Sequence, residues 1–333
     1  MKKIFITGAT GFIGSNLACK LANQGFTVHA LMRASSNVSS IKHENIKLFQ
    51  GDLLDTKAIE IAIKGCSQVY HLAAYAKNWA RDKMHFHKIN VEGTENILRA
   101  AKNNSVQKIV CTSTSLVFGP SNGKDVDESG MSNANPYTDY ERSKITEEEV
   151  IHQFVNEGMN ISTVYPTRVF GPGLLNESNS VTQMILKYLD GKWRLTLSDG
   201  NAVGNYVFVD DVAEAHINAM KHGKKGSKYI IGGDNISYND FFKEIDKIIG
   251  RSRVMLNVPA PVALLHSKIE ESLANRFNRY PTITPGWVKM FLDDWAFSSN
   301  KAISEINYNI TPLQSALEKT IEWIEQHKKN HKR

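Results

Sequence analysis

A chain of 333 residues exceeds the size at which single cores stop growing and falls short of three domains, and 41% hydrophobic with 22% charged residues is a globular balance that excludes a disordered chain. The net charge is +6, but Lys328, Lys329, Lys332 and Arg333 hold four of those charges within the last six residues, so the nearly neutral remainder argues against a nucleic-acid partner. No apolar run approaches the roughly 18 to 20 residues that span a bilayer, so no membrane-spanning helix is expected either.

In chain order, short apolar and β-branched runs alternate with helical patterns. Strands are expected at 4–7, 28–32, 46–49, 69–73, 108–112 and 161–165, with helices at 12–23, from 56, at 84–102 and at 137–156. This strand–helix rhythm predicts an α/β fold: a doubly wound parallel sheet of the Rossmann type, covered by helices on both faces. After Pro166 the rhythm weakens into a loop-rich stretch, a helix near 181–190, an apolar run at 206–209 and a strand at 228–231. From Pro259 the pattern is mainly helical, closing with an amphipathic helix from about Leu313. The expected organisation is a larger domain of residues 1–165, marked as dinucleotide-binding by its opening Gly8-x-x-Gly11-x-x-Gly14, with a returning segment at about 205–232. Residues 166–204 and 233–333 then form a smaller, mainly helical substrate lobe.

Cys19, Cys66 and Cys111 form no C-x-x-C pair and no metal spacing, which fits reduced thiols and a cytoplasmic protein without a metal. Met1-Lys2-Lys3 and Cys19 imitate a lipoprotein signal, but Gly8, Gly11 and Gly14 interrupt its apolar region. Those glycines have a chemical use. Thr7-Gly8-Ala9-Thr10-Gly11-Phe12-Ile13-Gly14 follows the first strand and opens the first helix, the context in which glycines turn the chain, admit a pyrophosphate and let helix pack on sheet. The second strand ends Met32-Arg33-Ala34-Ser35-Ser36 without a carboxylate to take a ribose 2′-hydroxyl. Arg33, with Ser35 and Ser36, therefore argues for the 2′-phosphate of NADP(H) over NAD(H), the alternative being a solvated surface arginine. Asp52 and Leu53 follow the third strand and Leu72, Ala73 and Ala74 end the fourth, at the sheet edge where such folds bind ligands; Asp52 also reads as an N-cap of the next helix. Tyr140 and Lys144 stand at i and i+4 on one helix face, where an ammonium favours phenolate and brings the tyrosine toward working range as an acid–base.

In order along the chain, TGATGFIG (7–14), GDL (51–53), HLAA (71–74), NVEGT (90–94), CTSTSLVFG (111–119), YERSK (140–144) and NYVFVDDVAEAH (205–216) resemble the extended short-chain dehydrogenase/reductases. The resemblance covers nearly the whole chain. It implies hydride transfer between a nicotinamide and a carbonyl or secondary alcohol carbon of a small organic substrate, in a homodimer. Thr114 would be the catalytic hydroxyl, with Ser113 or Ser115 as substitutes, Tyr140 the acid–base and Lys144 the ribose anchor. It also implies that Gly8, Thr10, Gly11, Phe12, Ile13, Gly14, Asp52, Leu53, Leu72, Ala73, Ala74, Thr112, Pro166, Thr167 and Arg168 line the cofactor. Sugar epimerases and dehydratases of this group carry Arg-Asp where this chain has Gly204 and Asn205, and often asparagine in place of Arg168. Tyr165-Pro166-Thr167 and Arg33 instead look like the dihydroflavonol reductase-like and hydroxysteroid dehydrogenase branch. The alternatives are an NAD-retaining sugar epimerase or dehydratase and, from another class, a non-catalytic dinucleotide sensor.

Other clusters have structural readings. Asp210-Asp211 reads as a helix cap, Glu147-Glu148-Glu149 as a solvated helix face, and His85 and His87 as surface residues. The Trp287, Phe291 and Trp295 spacing reads as a core stripe with some share in an apolar pocket.

Overall fold

A computed structural model describes residues 2–121, 123–130 and 135–330. In chain order the first half comprises β1 (Lys3–Thr7), α1 (Phe12–Asn23), β2 (Thr27–Met32), β3 (Ile46–Gln50), α2 (Thr56–Ile63), β4 (Gln68–His71), α3 (Met84–His87), α4 (Gly93–Asn103), β5 (Lys108–Thr112), α5 (Asp139–Asn156) and β6 (Ile161–Pro166). Then follow β7 (Arg168–Phe170), α6 (Ser180–Leu189), β8 (Leu195–Leu197), β9 (Val203–Phe208), α7 (Val209–His222), β10 (Lys228–Ile231), β11 (Asp234–Ser237), α8 (Tyr238–Ile249), β12 (Leu256–Val258), α9 (Ala260–Phe277), α10 (Pro285–Leu292), α11 (Asn300–Ile306) and α12 (Leu313–Asn330).

Seven strands form one parallel sheet in the order β10-β6-β5-β4-β1-β2-β3. The order reverses between β1 and β4, so the carboxyl ends of these strands open a crevice at the switch point. Alternate residues of β1 feed opposite cores, as a period of two requires. Ile4 and Ile6 join Leu17, Val110 and Ile217 on one face, while Phe5 joins Ile59, Val69, Ile97 and Phe154 on the other.

The smaller lobe has its own core of Phe170, Ile185, Tyr188, Tyr206, Phe241 and Leu317. Of the segment expected to return, β10 joins the main sheet and α7 packs on β5 and β6 of it, whereas β9 pairs with β7 and β11 in a separate three-stranded sheet. Three local expectations change. The helix expected at 84–102 is interrupted by a wide π-turn, Lys88–Glu92, between α3 and α4. Asp211 does not cap its own helix; it accepts from the backbone N–H and hydroxyl of Thr311 and pins the approach to α12. Trp295 is buried, whereas Trp287 and Phe291 are half-buried and line a surface cleft, so the expected stripe divides between core and cleft. Lys328 pairs with Asp190 at 2.5 Å, while Lys332 and Arg333 lie outside the described residues. Cys19, Cys66 and Cys111 are free thiols, and no described helix is long and apolar enough to cross a membrane.

Candidate active site

The glycine loop is shaped by close approaches. Gly8 has φ +74, and a side-chain carbon there would stand 2.7 Å from the Ala73 nitrogen and 2.8 Å from the Leu72 carbonyl carbon. At Gly14 the same carbon would lie 2.1 Å from the Gly8 oxygen, so α1 reaches the sheet only because both positions lack one. Gly11 stands at the N-cap with no side-chain partner for the first amides, and Thr10, Phe12 and Ile13 complete the turn. Phe12 is buried, so what it offers a ligand is its backbone. Leu72, Ala73 and Ala74 run beside this loop, and the Leu72 N–H donates to the Thr7 oxygen at 3.2 Å. This concave run of amides at a helix N-terminus fits a dinucleotide pyrophosphate. Arg33 is exposed at the end of β2, and its N–H donates to Ser36 Oγ at 3.2 Å across the turn that carries Ser35. Asp52 accepts from the Leu54 N–H, while Asp55 caps α2, so Asp52 is not the cap of the next helix; Leu53 is buried.

Placement of the Tyr140 face follows from a capping box. Thr138 accepts from the Glu141 N–H at 3.2 Å and donates to the Glu141 carboxylate, whose other oxygen takes the Tyr137 N–H. The helix therefore starts at Asp139 and not at 137, with Tyr140 in its first turn. Thr114 caps the short turn Ser115–Phe118 beyond β5, its hydroxyl accepting from the Leu116 N–H, and it acts on the Tyr140 phenol to lower it. Ser113 Oγ is buried with no hydrogen-bond partner among the described residues. Lys144 Nζ, 1% exposed, donates to the Thr112 carbonyl at 3.0 Å and forms an ion pair with Glu147. The Thr112 hydroxyl turns the other way, to His216 Nε2 at 2.8 Å.

Glu147 corrects the expectation of a solvated acidic run. Only Glu149 of the three is exposed; Glu147 and Glu148 are buried, the latter against the Tyr165 hydroxyl, which donates to it. At i+3 from Lys144, Glu147 shares the face of Tyr140 and Lys144, and that spacing was the signal for it in the sequence. Burial pushes its carboxyl up to about 7, with Lys144 offsetting part of the rise. The expected depression of Tyr140 is also reversed in the protein alone. Burial raises the phenol, Lys144 lowers it only partly, and Glu147 raises it further. Asn90, in the wide π-turn, was missed as a positioning residue: it donates to Ser143 Oγ at 2.8 Å, while its oxygen takes the Tyr75 N–H. Ser143 Oγ in turn donates to the Tyr140 carbonyl.

Pro166 ends β6, and the Thr167 hydroxyl donates to Asn205 Oδ1 at 2.7 Å. The Arg168 guanidinium is taken up by the lobe. It lies 5.0 to 5.7 Å from the ring centres of Phe291, Tyr238 and Tyr206, and donates to the Tyr238 hydroxyl and the Met290 carbonyl. A side-chain carbon on Gly204 would lie 2.4 Å from that guanidinium. Tyr238, Phe291, Trp287, Trp193, Leu195 and Phe242 then line the apolar cleft. Its helix α10 docks beside the Tyr140 helix, where the Tyr137 hydroxyl donates to Asp293 and Gly286 packs on the Tyr137 carbonyl.

The profile of the NAD dependent epimerase/dehydratase family matches residues 4–232. A putative dihydroflavonol 4-reductase of Synechocystis is 30% identical, covering 97% of this chain and 94% of its own length. Sterol demethylase protein B of Methylococcus capsulatus is 26% identical, covering 96% of this chain and 98% of its own. Among solved structures, UDP-glucose 4-epimerase of Thermotoga maritima superposes with a TM-score of 0.81 over 98% of this chain and 99% of its own, at 23% identity, a likeness of fold.

Proposed function

The chain belongs to the NAD dependent epimerase/dehydratase family, and we propose that it is an NADP(H)-dependent oxidoreductase interconverting a carbonyl and a secondary alcohol on a small organic substrate. One observation carries the reading: Tyr140 and Lys144 share one face of α5, and Lys144 Nζ reaches the Thr112 carbonyl at 3.0 Å, at the carboxyl end of β5 two residues before Thr114. When bound, the nicotinamide supplies or accepts the hydride. Thr114 holds the substrate oxygen and Tyr140 gives that oxygen its proton. Lys144 anchors the ribose, and its ammonium favours the phenolate left behind. Ser113, buried and unpartnered among the described residues, is a second hydroxyl available to the same oxygen.

The coenzyme preference rests on Arg33, an exposed cation at the end of β2 where no carboxylate stands to hold a 2′-hydroxyl. Titrating NADPH and NADH by fluorescence tests it, with a clear preference for NADPH expected. The preference for a reductase over a sugar enzyme rests on Arg168: with its guanidinium packed on Gly204, an arginine at that position has no room, and an aromatic cleft stands beside it. A second reading, a sugar epimerase, is favoured by the fold shared with UDP-glucose 4-epimerase. Dialysis separates the two, because an epimerase retains NAD through it and a reductase exchanges its coenzyme. A carbonyl-substrate screen following NADPH oxidation tests the first directly.

A further inference from the structure

Glu147 sits at the end of a buried chain of hydrogen-bonding groups that can run in one direction from its far end. The Ala73 N–H, which can only donate, gives its hydrogen to Thr7 Oγ1 at 3.2 Å. The Thr7 hydroxyl is then free to donate to His71 Nδ1 at 2.6 Å, leaving the imidazole hydrogen on Nε2, which donates to Thr94 Oγ1 at 2.8 Å. Thr94 in turn acts on Glu147, lowering its carboxyl. With each group donating to the next, the chain ends on an acceptor, which is what an ionised carboxylate is. Lys144 forms an ion pair with that carboxylate, and both side chains are buried.

We propose that Glu147 is a positioning residue that holds Lys144 between its own carboxylate and the Thr112 carbonyl and keeps Tyr140 as a protonated, proton-donating phenol. This deepens the oxidoreductase reading and rests on the Tyr140–Lys144 pair acting as its acid–base. A bare ammonium beside Tyr140 favours phenolate, the form that takes a proton in alcohol oxidation. Half-neutralised by Glu147, the same lysine anchors without stripping the phenol, and the pair is set for carbonyl reduction. The groups around Glu147 are consistent with this. Its own helix contributes Lys144, Tyr140 and Glu148, β5 contributes Cys111, and β4 contributes His71, which burial and Lys144 push down to about 3. The histidine is therefore neutral and Lys144 is the cation facing the carboxylate.

The test reads Tyr140 without any turnover. In protein labelled with [13Cζ]tyrosine, the Tyr140 signal is assigned by Tyr140→Phe and titrated in wild type, Glu147→Asp and Glu147→Gln. Removing a neighbouring negative charge in a buried site should lower the Tyr140 titration by on the order of one pH unit in Glu147→Gln, a tenfold gain in phenolate. The shorter Glu147→Asp keeps the charge and should shift it by less, in the same direction. An unchanged titration in folded Glu147→Gln overturns the proposal. Should that variant fail to fold, an unchanged titration in Glu147→Asp overturns it equally. Because no substrate is used, a shifted Tyr140 in a protein that reduces no carbonyl would refute the oxidoreductase reading and leave the role of Glu147 standing.

Discussion

Two cations, the buried Lys144 and the half-buried Arg168, are treated differently by the protein. Lys144 is given a carboxylate, Glu147, in the floor of the site; Arg168 is given three aromatic faces, phenol hydroxyls and a carbonyl, with no acidic partner among the described residues. A guanidinium keeps its charge at any working pH and is weakly hydrated, so ring faces and neutral acceptors hold it at low desolvation cost. An ammonium buried as deeply as Lys144 would lose its proton without an anion nearby. The site thus pairs charge where protonation matters and uses packing where charge serves as a fixed wall.

The floor is where the largest effect is expected. Tyr140→Phe should lower turnover by at least about 10², the usual loss of a general acid, while NADPH titration stays nearly unchanged. Thr114→Val should also lose most activity and Thr114→Ser should keep it, both measured on the first carbonyl substrate that the screen yields. Near-wild-type turnover in Tyr140→Phe would break the contrast, since neither cation would then border the chemistry.

Acidification probes the buried histidines of the floor. Burial pushes His71 down to about 3 and His216 to about 4 from an ordinary 6.5, so the folded protein binds fewer protons there than the unfolded chain. Stability is therefore lost as pH falls below 6.5, each histidine accounting for about 2 kcal/mol by pH 5. Glu147, raised to about 7, works in the opposite sense: its proton is held more tightly folded, so it regains part of that loss between pH 7 and 4.5. Urea unfolding at pH 7.5 and 5 should show a net fall in wild type and a steeper one in Glu147→Gln; equal stabilities in wild type would contradict the neutral, buried state of His71.

Arg168→Lys sharpens the other half of the comparison. A lysine keeps the charge and loses the planar stacking, and the expected cost is about 1 to 2 kcal/mol, read as a lower Tm with an unaltered Tyr140 titration. The smallest effect belongs to Arg33→Ala, whose exposed contact should be worth about tenfold in NADPH affinity and little in NADH affinity. An unchanged ratio would make Arg33 a bystander.

The two regions also differ in how far they could be read beforehand. The glycine loop, the Tyr140–Lys144 face and the strand rhythm were legible because each rests on local spacing within a turn or a strand. Glu147 was legible in principle from its i+3 spacing, but three consecutive acids imitate a solvated face until the burial of α5 against β5 and β6 is known. Thr138 and Glu141 also announce a helix start that the expected boundary at 137 overlooked. The aromatic enclosure of Arg168 was not legible at all. It gathers residues from β7, β9, α8 and α10, separated by as many as 123 positions along the chain, and no periodicity links them.

The wide turn at Lys88–Glu92 has a consequence for chain length. An extra residue in one turn advances everything after it by about 100° around the axis relative to an unbroken α-helix. Phe86 before the turn and Ile97 and Leu98 after it are all buried, and Asn90 between them reaches the Tyr140 helix. An uninterrupted helix of the same sequence would change the phase between these faces and rotate one of them away from its neighbours. Closing the turn into regular α-helix with one residue fewer would instead keep the two faces in phase, so the extra residue serves the placement of Asn90 toward the Tyr140 helix and not the alignment of the flanking faces.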